Sequence, residues 1–183
     1  YDAELFGHWW FEGPWFINRL VRFFAMDPEV DMINCKTYLK ENGMPKKAVQ
    51  IAEGSWGEGS SHYIWLNKEN KWTWGKIYEI EDIVEDIITH NHSNSDETIQ
   101  RLMRQLCREN LLLQASDWQF LISTWSARDY AEQRINLHYT NCKRIASMIN
   151  RQLQNTPIET SEWEFLEKIE EANNCFSEID ISA

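Results

Sequence analysis

The sequence predicts a mainly α fold, a helical bundle, on three observations. From Lys76 onward, apolar residues recur at helical spacing over long stretches. Short polar breaks separate those stretches, as between neighbouring helices of a bundle. Loose strand-like alternation is confined to the opening residues, Tyr1 to Phe6. With 183 residues, 43% of them hydrophobic, the chain has the material for a sizeable core.

Each element has its own signal. Tyr1–Phe6 reads as a short strand. Gly13-Pro14 opens a helix over 14–25, with proline in the first turn, where no N–H is needed. Phe16, Leu20 and Phe23/Phe24 fall at helical spacing, and Asp27-Pro28 ends the run. Residues 35–43 read as a short helix stopped by Gly43. From Met44 to Gly75 the pattern turns irregular, with Trp56, Trp65, Trp72 and Trp74 displayed among glycines. Structureless stretches of that length usually have a function.

The remainder reads as helix. Residues 76–90 set Ile77, Ile80, Ile83/Val84 and Ile87 on one face. Ser95 is the expected cap of a helix over 96–113, which carries Ile99, Leu102/Met103 and Leu106 inward. Residues 114–126 read as turn, short helix and turn, in which Asp117 is either an N-cap or a substrate contact. The longest helix spans 127–153, with Tyr130/Ala131, Arg134/Ile135, His138, Cys142, Ile145 and Ile149 along its stripe. Pro157 marks the break. Ser161 and Glu164 form a capping box for a last helix over 161–173, with Trp163 in the core.

Charge and composition narrow the function. A net charge of −11 repels polyanions, so nucleic acid and anionic membranes are poor partners. No apolar run approaches the roughly 20 residues that span a bilayer. No secretory signal is seen, and the first residue is not Met, so the chain reads as a fragment. The four cysteines, Cys35, Cys107, Cys142 and Cys175, are widely spaced. They read as reduced thiols of a cytoplasmic protein. Ten tryptophans are the outlier. Indole offers a flat face with a polar edge, on which sugar rings stack through their C–H groups.

The opening thirteen residues, YDAELFGHWWFEG, hold the acidic pair Asp2 and Glu4. On a strand, residues i and i+2 share a face. A retaining glycosyl transfer needs two carboxylates about 5 to 5.5 Å apart across the sugar. Side chains two apart on one strand stand roughly 6 to 7 Å apart and run parallel. The second carboxylate is therefore expected from elsewhere, and Glu4 reads as a structural hydrogen-bonder. His90-x-His92 with Asp96 nearby has no third strong ligand, so no metal site is expected.

YDAELFGHWWFEG closely resembles the segment that carries the catalytic acid/base in glycoside hydrolase family 57. SWGEGS with WLN, then WTWGKIYEIE, then LLLQASDWQFLISTWSARDYAEQR, resemble successive segments of that family's 1,4-α-glucan branching enzymes. CFSEID resembles their closing stretch, with Ser177 in place of the usual proline. The resemblance runs from Tyr1 to about Asp180. It implies a helical bundle preceded by the last strand and helix of a seven-stranded β/α barrel and a long Trp-rich loop. The implied division is 1–34 barrel remnant, 35–75 Trp/Gly-rich segment covering the cleft, and 76–183 helical C-terminal domain.

By resemblance, Asp2 is the general acid/base, and the nucleophilic Glu lies upstream of Tyr1. The alternative for Asp2 is a solvated residue at a frayed end. His8 and Trp9 match positions near the sugar cleft, although His8 also reads as a turn histidine. Trp9 and Trp10 are adjacent, so one faces the core and one the cleft. Trp56 and Trp65 match glucan-stacking loop residues, while Trp72 and Trp74 read as packing. Asp117 and Trp118 match a segment where the helical domain closes over the barrel. Trp125 stands where a small residue is usual, and Ser60 departs from the common form of the glycine-rich loop.

The implied function is formation of α-1,6 branches in an α-glucan by a retaining transfer that uses no cofactor. The fragment alone would be inactive, and its partners would be the glucan and the N-terminal barrel of the same polypeptide. The rivals are a 4-α-glucanotransferase or amylase of the same family, and a non-catalytic glucan-binding or helical interaction module.

Overall fold

The structure, a computed structural model, describes residues 3–176 and 178–181. Its elements are a 3₁₀ turn at Ala3–Phe6, α1 at Gly13–Met26, α2 at Cys35–Asn42 and a 3₁₀ turn at Glu58–Ser60. Then come α3 at Lys71–Asn91, α4 at Glu97–Leu113, α5 at Asp117–Thr124, α6 at Arg128–Leu153 and α7 at Thr160–Ala172. Among the described residues none is in a strand. The chain forms two compact units, divided between Ala52 and Glu53.

In the first unit the expected opening strand is corrected. Over Ala3–Phe6 the backbone closes on itself, and the Gly7 and His8 N–H groups both donate to the Glu4 carbonyl. A lone strand has no neighbour to satisfy its backbone, whereas a local turn supplies its own partners. Gly13 then starts α1 hard against that turn. A Cβ on Gly13 would lie 2.5 Å from the Phe6 Cα, so glycine permits the approach. Phe6, Trp10 and Phe16 form a ring cluster with centroids 5.0 to 6.0 Å apart. Helix α2 is capped by Asn34, which accepts from the Thr37 N–H at 2.9 Å. It stops at Gly43, whose φ of +74° is easily reached only without a Cβ.

The second unit is the bundle. Its core is built from Ile80 of α3, Leu102 and Leu106 of α4, Ile122 of α5, Ile135, Ile145 and Ile149 of α6, and Leu166 of α7. Helix α4 packs most extensively on α6, and α5 also lies on α6. The expected α6 stripe is buried at Ala131, Ile135, His138, Cys142, Ile145 and Ile149, with Tyr130 left exposed. Trp163 is half-buried against the core rather than enclosed by it.

Three boundaries differ from expectation, each for a physical reason. Helix α3 starts at Lys71, so Trp72 and Trp74 belong to a helix and not to the loop. Trp74 Nε1 donates to the Trp65 carbonyl at 2.8 Å and Trp72 Nε1 to the Glu69 carbonyl at 3.0 Å, which fixes that first turn. Asp96, not Ser95, caps α4. Its carboxylate accepts from the Thr98 and Ile99 N–H groups while its other oxygen takes Gln152, and these bonds hold it below the ordinary aspartate range. One hydroxyl cannot match that set. Helix α7 has no Ser161–Glu164 box, because it already begins at Thr160. Arg144 of α6 draws the register there by donating to Glu162 at 2.7 Å and to the Ser161 carbonyl at 3.4 Å.

A charged cluster lies inside the bundle. The fully buried Glu109 carboxylate accepts from His138 Nδ1 at 2.7 Å, Asn141 at 3.0 Å, Gln105 at 2.9 Å and Asn173 at 2.6 Å. Burial alone would raise its pKa. The bonds from His138, Asn141 and Asn173 outweigh that and hold it below the usual glutamate value. Arg108 completes the cluster, donating to Gln105, to the Cys175 carbonyl at 2.6 Å and to the Phe176 carbonyl at 3.2 Å. The tail after α7 is thus tied to α4 and α6. Beside it, burial pushes the Cys142 thiol far up, so it is inert as a nucleophile.

Candidate glucan-binding site

The candidate site of the second unit begins with a short loop that is locked by its own backbone. The Ser55 N–H donates to the Ser60 carbonyl at 3.1 Å, and the Ser55 hydroxyl donates to the Ser61 carbonyl while accepting from the Gly57 N–H. Gly57 is required at its position: a Cβ there would meet the Ser61 carbonyl oxygen at 2.9 Å and Ile64 Cγ1 at 3.2 Å. Gly59 turns the chain with a φ of +64°. Directly ahead of Gly57, Trp56 keeps 68% of its surface exposed.

The Trp56 ring is not adrift. It meets the Trp65 ring at 5.9 Å and the Phe120 ring at 5.5 Å, both edge to face. Such pairs stabilise by about 0.5–1.5 kcal/mol beyond burial. The loop and α5 therefore present one aromatic surface with Trp56 outermost. Phe120, unremarked in the sequence, is its third member.

Beneath it, a polar clasp fixes the approach to α3. Buried Asn70 donates to the Ile64 carbonyl at 2.8 Å and to Ser123 Oγ at 3.0 Å, and accepts from the Asn67 N–H at 2.8 Å. Asn67 donates to the Tyr63 carbonyl and to the same Ser123 hydroxyl, each at 2.8 Å. Gln119 Nε2 reaches Thr73 Oγ1 at 3.0 Å. The residues that orient Trp65 are thus amides and hydroxyls that sequence reading passed over. Their one signal was the Asn-x-x-Asn pair ahead of a helix.

The other expected residues fall as follows. Asp2 lies outside the described residues. His8 and Trp9 lie in the first unit, both exposed, with ring centroids 4.9 Å apart at 85°. Trp10 packs its ring on Phe6 and Phe16 yet stays 39% exposed, so neither of the two neighbouring indoles is in a core. Glu4 is exposed. Asp117 is exposed in the first turn of α5, and the cap position belongs to Ser116, which has helical backbone angles. Trp118 is half-buried, its N–H donating to the Leu112 carbonyl at 2.8 Å and its ring against Tyr130 at 6.0 Å. Two residues along a helix from Phe120, it faces away from the Trp56 surface. His90 and His92 are turned onto carbonyls of their own helix.

The family described as 1,4-alpha-glucan branching enzyme, C-terminal, matches residues 76–183. The chain belongs to this family. Over 176 residues it is 39% identical to the 1,4-alpha-glucan branching enzyme TK1436 of Thermococcus kodakarensis, covering 96% of this chain and 25% of that protein. A probable 1,4-alpha-glucan branching enzyme of Mycobacterium tuberculosis is 27% identical over 161 residues, covering 81% of this chain and 29% of that protein. Among solved structures, the GH57-type branching enzyme of Pyrococcus horikoshii superposes with a TM-score of 0.75 at 36% identity, covering all of this chain and 33% of that one. The TK1436 crystal structure superposes with a TM-score of 0.71 at 38% identity, covering 97% of this chain and 31% of that one. This branching-enzyme C-terminal chain spans a quarter to a third of the length of those relatives. Among its described residues no helix is long and apolar enough to cross a membrane.

Proposed function

We propose that this chain forms the acid/base-bearing and glucan-holding part of a cytoplasmic retaining 1,4-α-glucan branching enzyme. The observation that carries the reading is the locked Trp56–Trp65–Phe120 surface in a chain of this family. An exposed indole face held by fixed aromatic neighbours suits a sugar ring.

The reaction breaks an α-1,4 bond of a donor chain. A carboxylate upstream of this chain attacks the anomeric carbon as Asp2 gives its proton to the departing glucan oxygen. A 6-hydroxyl of an acceptor glucan then attacks the glycosyl-enzyme. Asp2 takes the proton from that hydroxyl, an α-1,6 bond forms, and the first carboxylate is released. A charged partner across a narrow cleft keeps Asp2 protonated for the first step. Transfer must outrun hydrolysis, so water must be excluded and an acceptor held. Trp56 and Trp65 suit the holding of glucan, with His8, Trp9, Asp117 and Trp118 carried as further contacts by the resemblance alone, and the chemistry calls for no cofactor or metal.

The division into 1–34 of a barrel, 35–75 over the cleft and 76–183 as the helical domain belongs to this proposal. So does the partner surface for α1, whose Trp15, Val21 and Phe23 are exposed. They suit packing against the N-terminal barrel of the same polypeptide. The chain by itself, without the nucleophile, is inactive in this reading.

Amylose treated with the full-length polypeptide tests it. New α-1,6 linkages are expected, and Asp2→Asn lowers their rate by roughly 10²–10⁴-fold. Disproportionated linear chains identify a glucanotransferase instead, and free reducing ends an amylase.

A further inference from the structure

Trp125 closes α5 with a φ of +58°, in the left-handed region. Glycine is the favoured residue there, because a Cβ crowds the following carbonyl. The position nevertheless holds the largest side chain, 68% exposed, so the strain is not offset by burial. Backbone strain retained under an exposed aromatic points to use of its surface.

Its surroundings fix the ring. The Arg128 guanidinium lies 4.5 Å from the indole centroid and covers one face. Arg128 is itself held by Glu132 at 2.7 Å and Glu69 at 3.2 Å. The flanking hydroxyls of Thr124 and Ser126 pair at 2.7 Å, and Thr124 also donates to the Phe120 carbonyl. One indole face is thus backed by a cation that two carboxylates hold, and the residues on either side of Trp125 carry paired hydroxyls. Trp125 lies five residues past Phe120, about 7 Å further along the axis of α5. A few glucose units can bridge from the Trp56 surface to it.

We propose that Trp125 is a second stacking platform for a glucose unit of an α-glucan chain, held open by Arg128 and separate from the Trp56–Trp65–Phe120 surface. This rests on the α-glucan reading above. A glucan of several units reaches both aromatic surfaces, whereas glucose or maltose occupies only one of them at a time.

The test uses the full-length polypeptide carrying this chain, with glycogen and maltoheptaose as probes in affinity gel electrophoresis. Trp125→Gly is expected to weaken glycogen retention roughly three- to tenfold, the loss of one aromatic contact. Maltoheptaose, long enough to reach both surfaces, is also bound more weakly, and Trp125→Phe restores most of the glycogen retention. The thermal midpoint of Trp125→Gly stays level or rises, because glycine relieves the left-handed backbone. Unchanged retention by glycogen overturns the platform, and so does a lowered midpoint, which makes Trp125 a packing residue. If the unaltered polypeptide is not retained by glycogen and forms no α-1,6 linkages, the α-glucan reading itself falls.

Discussion

Helices α1 and α4 carry comparable apolar stripes and use them in opposite ways. Helix α4 buries Ile99, Leu102, Met103, Leu106 and Leu113 among its neighbours. Helix α1 buries only Gly13 and leaves Trp15, Ile17, Val21 and Phe23 exposed. Periodicity therefore reports that a helix has a face, not what the face meets. In the bundle the stripe and its cover are encoded in one unit, and polar residues there are tied into fixed networks. In the first unit the stripe is encoded without its cover.

The sharpest way to break that contrast is at Glu109. Glu109→Ala removes the acceptor shared by His138, Asn141, Gln105 and Asn173. Removing one side of a buried charged cluster costs about 3–5 kcal/mol, so urea unfolding followed by circular dichroism should show a shift of that size. A loss below 1 kcal/mol would mean that the cluster does not hold the bundle. The same carboxylate makes the bundle acid-sensitive. Its folded pKa lies below the ordinary 4.5, so its contribution is complete above about pH 4.5 and is lost as pH falls through the folded value. Unfolding midpoints measured from pH 6 down to pH 3 should fall in that window for the unaltered chain and fall less steeply for Glu109→Gln.

Next in size is the clasp under the aromatic surface. Asn70→Ala leaves the Asn67 N–H without its acceptor, while the Ile64 carbonyl keeps only the Ser123 hydroxyl, a loss of about 1–3 kcal/mol. Tryptophan emission should shift as Trp56 and Trp65 lose their setting. Unaltered emission with lowered stability would separate the clasp from the aromatic surface.

These two clusters also mark the limit of what the sequence discloses. Helices with local punctuation were legible: Gly43 ended α2, and the stripe of α6 was found except at Tyr130, which is exposed, and Arg134, which is half-buried. The strand expected over Tyr1–Phe6 is a 3₁₀ turn where it is described, from Ala3 to Phe6, because a strand is defined by its neighbour and none pairs with it among the described residues. Trp72 and Trp74 read as loop because glycine and tryptophan mask helix periodicity, and the indole bonds that set the start of α3 go to carbonyls three and nine residues upstream, which periodicity does not report. Glu109 shares the inward face of α4 with Gln105, but its other three partners lie 29, 32 and 64 residues away. No local pattern announces such a set. On the aromatic surface, Trp56 and Trp65 were found through resemblance, while Phe120 needed the fold of α5 to bring it there.

The smallest expected effect decides whether the contrast is real. Leu106→Ala and Phe23→Ala each truncate a large apolar side chain on a helix. Leu106 is fully enclosed, and its removal should cost about 2–5 kcal/mol through lost contacts and a cavity. Phe23 is 65% exposed and its nearest ring partner is its neighbour Phe24, so its removal should stay within about 0.5 kcal/mol. Repeating the pair in the full-length polypeptide sharpens the comparison. If the face of α1 packs on the N-terminal barrel there, Phe23→Ala becomes costly in that setting alone, while Leu106→Ala costs the same in both. Equal and small losses for Phe23→Ala in the two settings would leave the face of α1 with no barrel to meet.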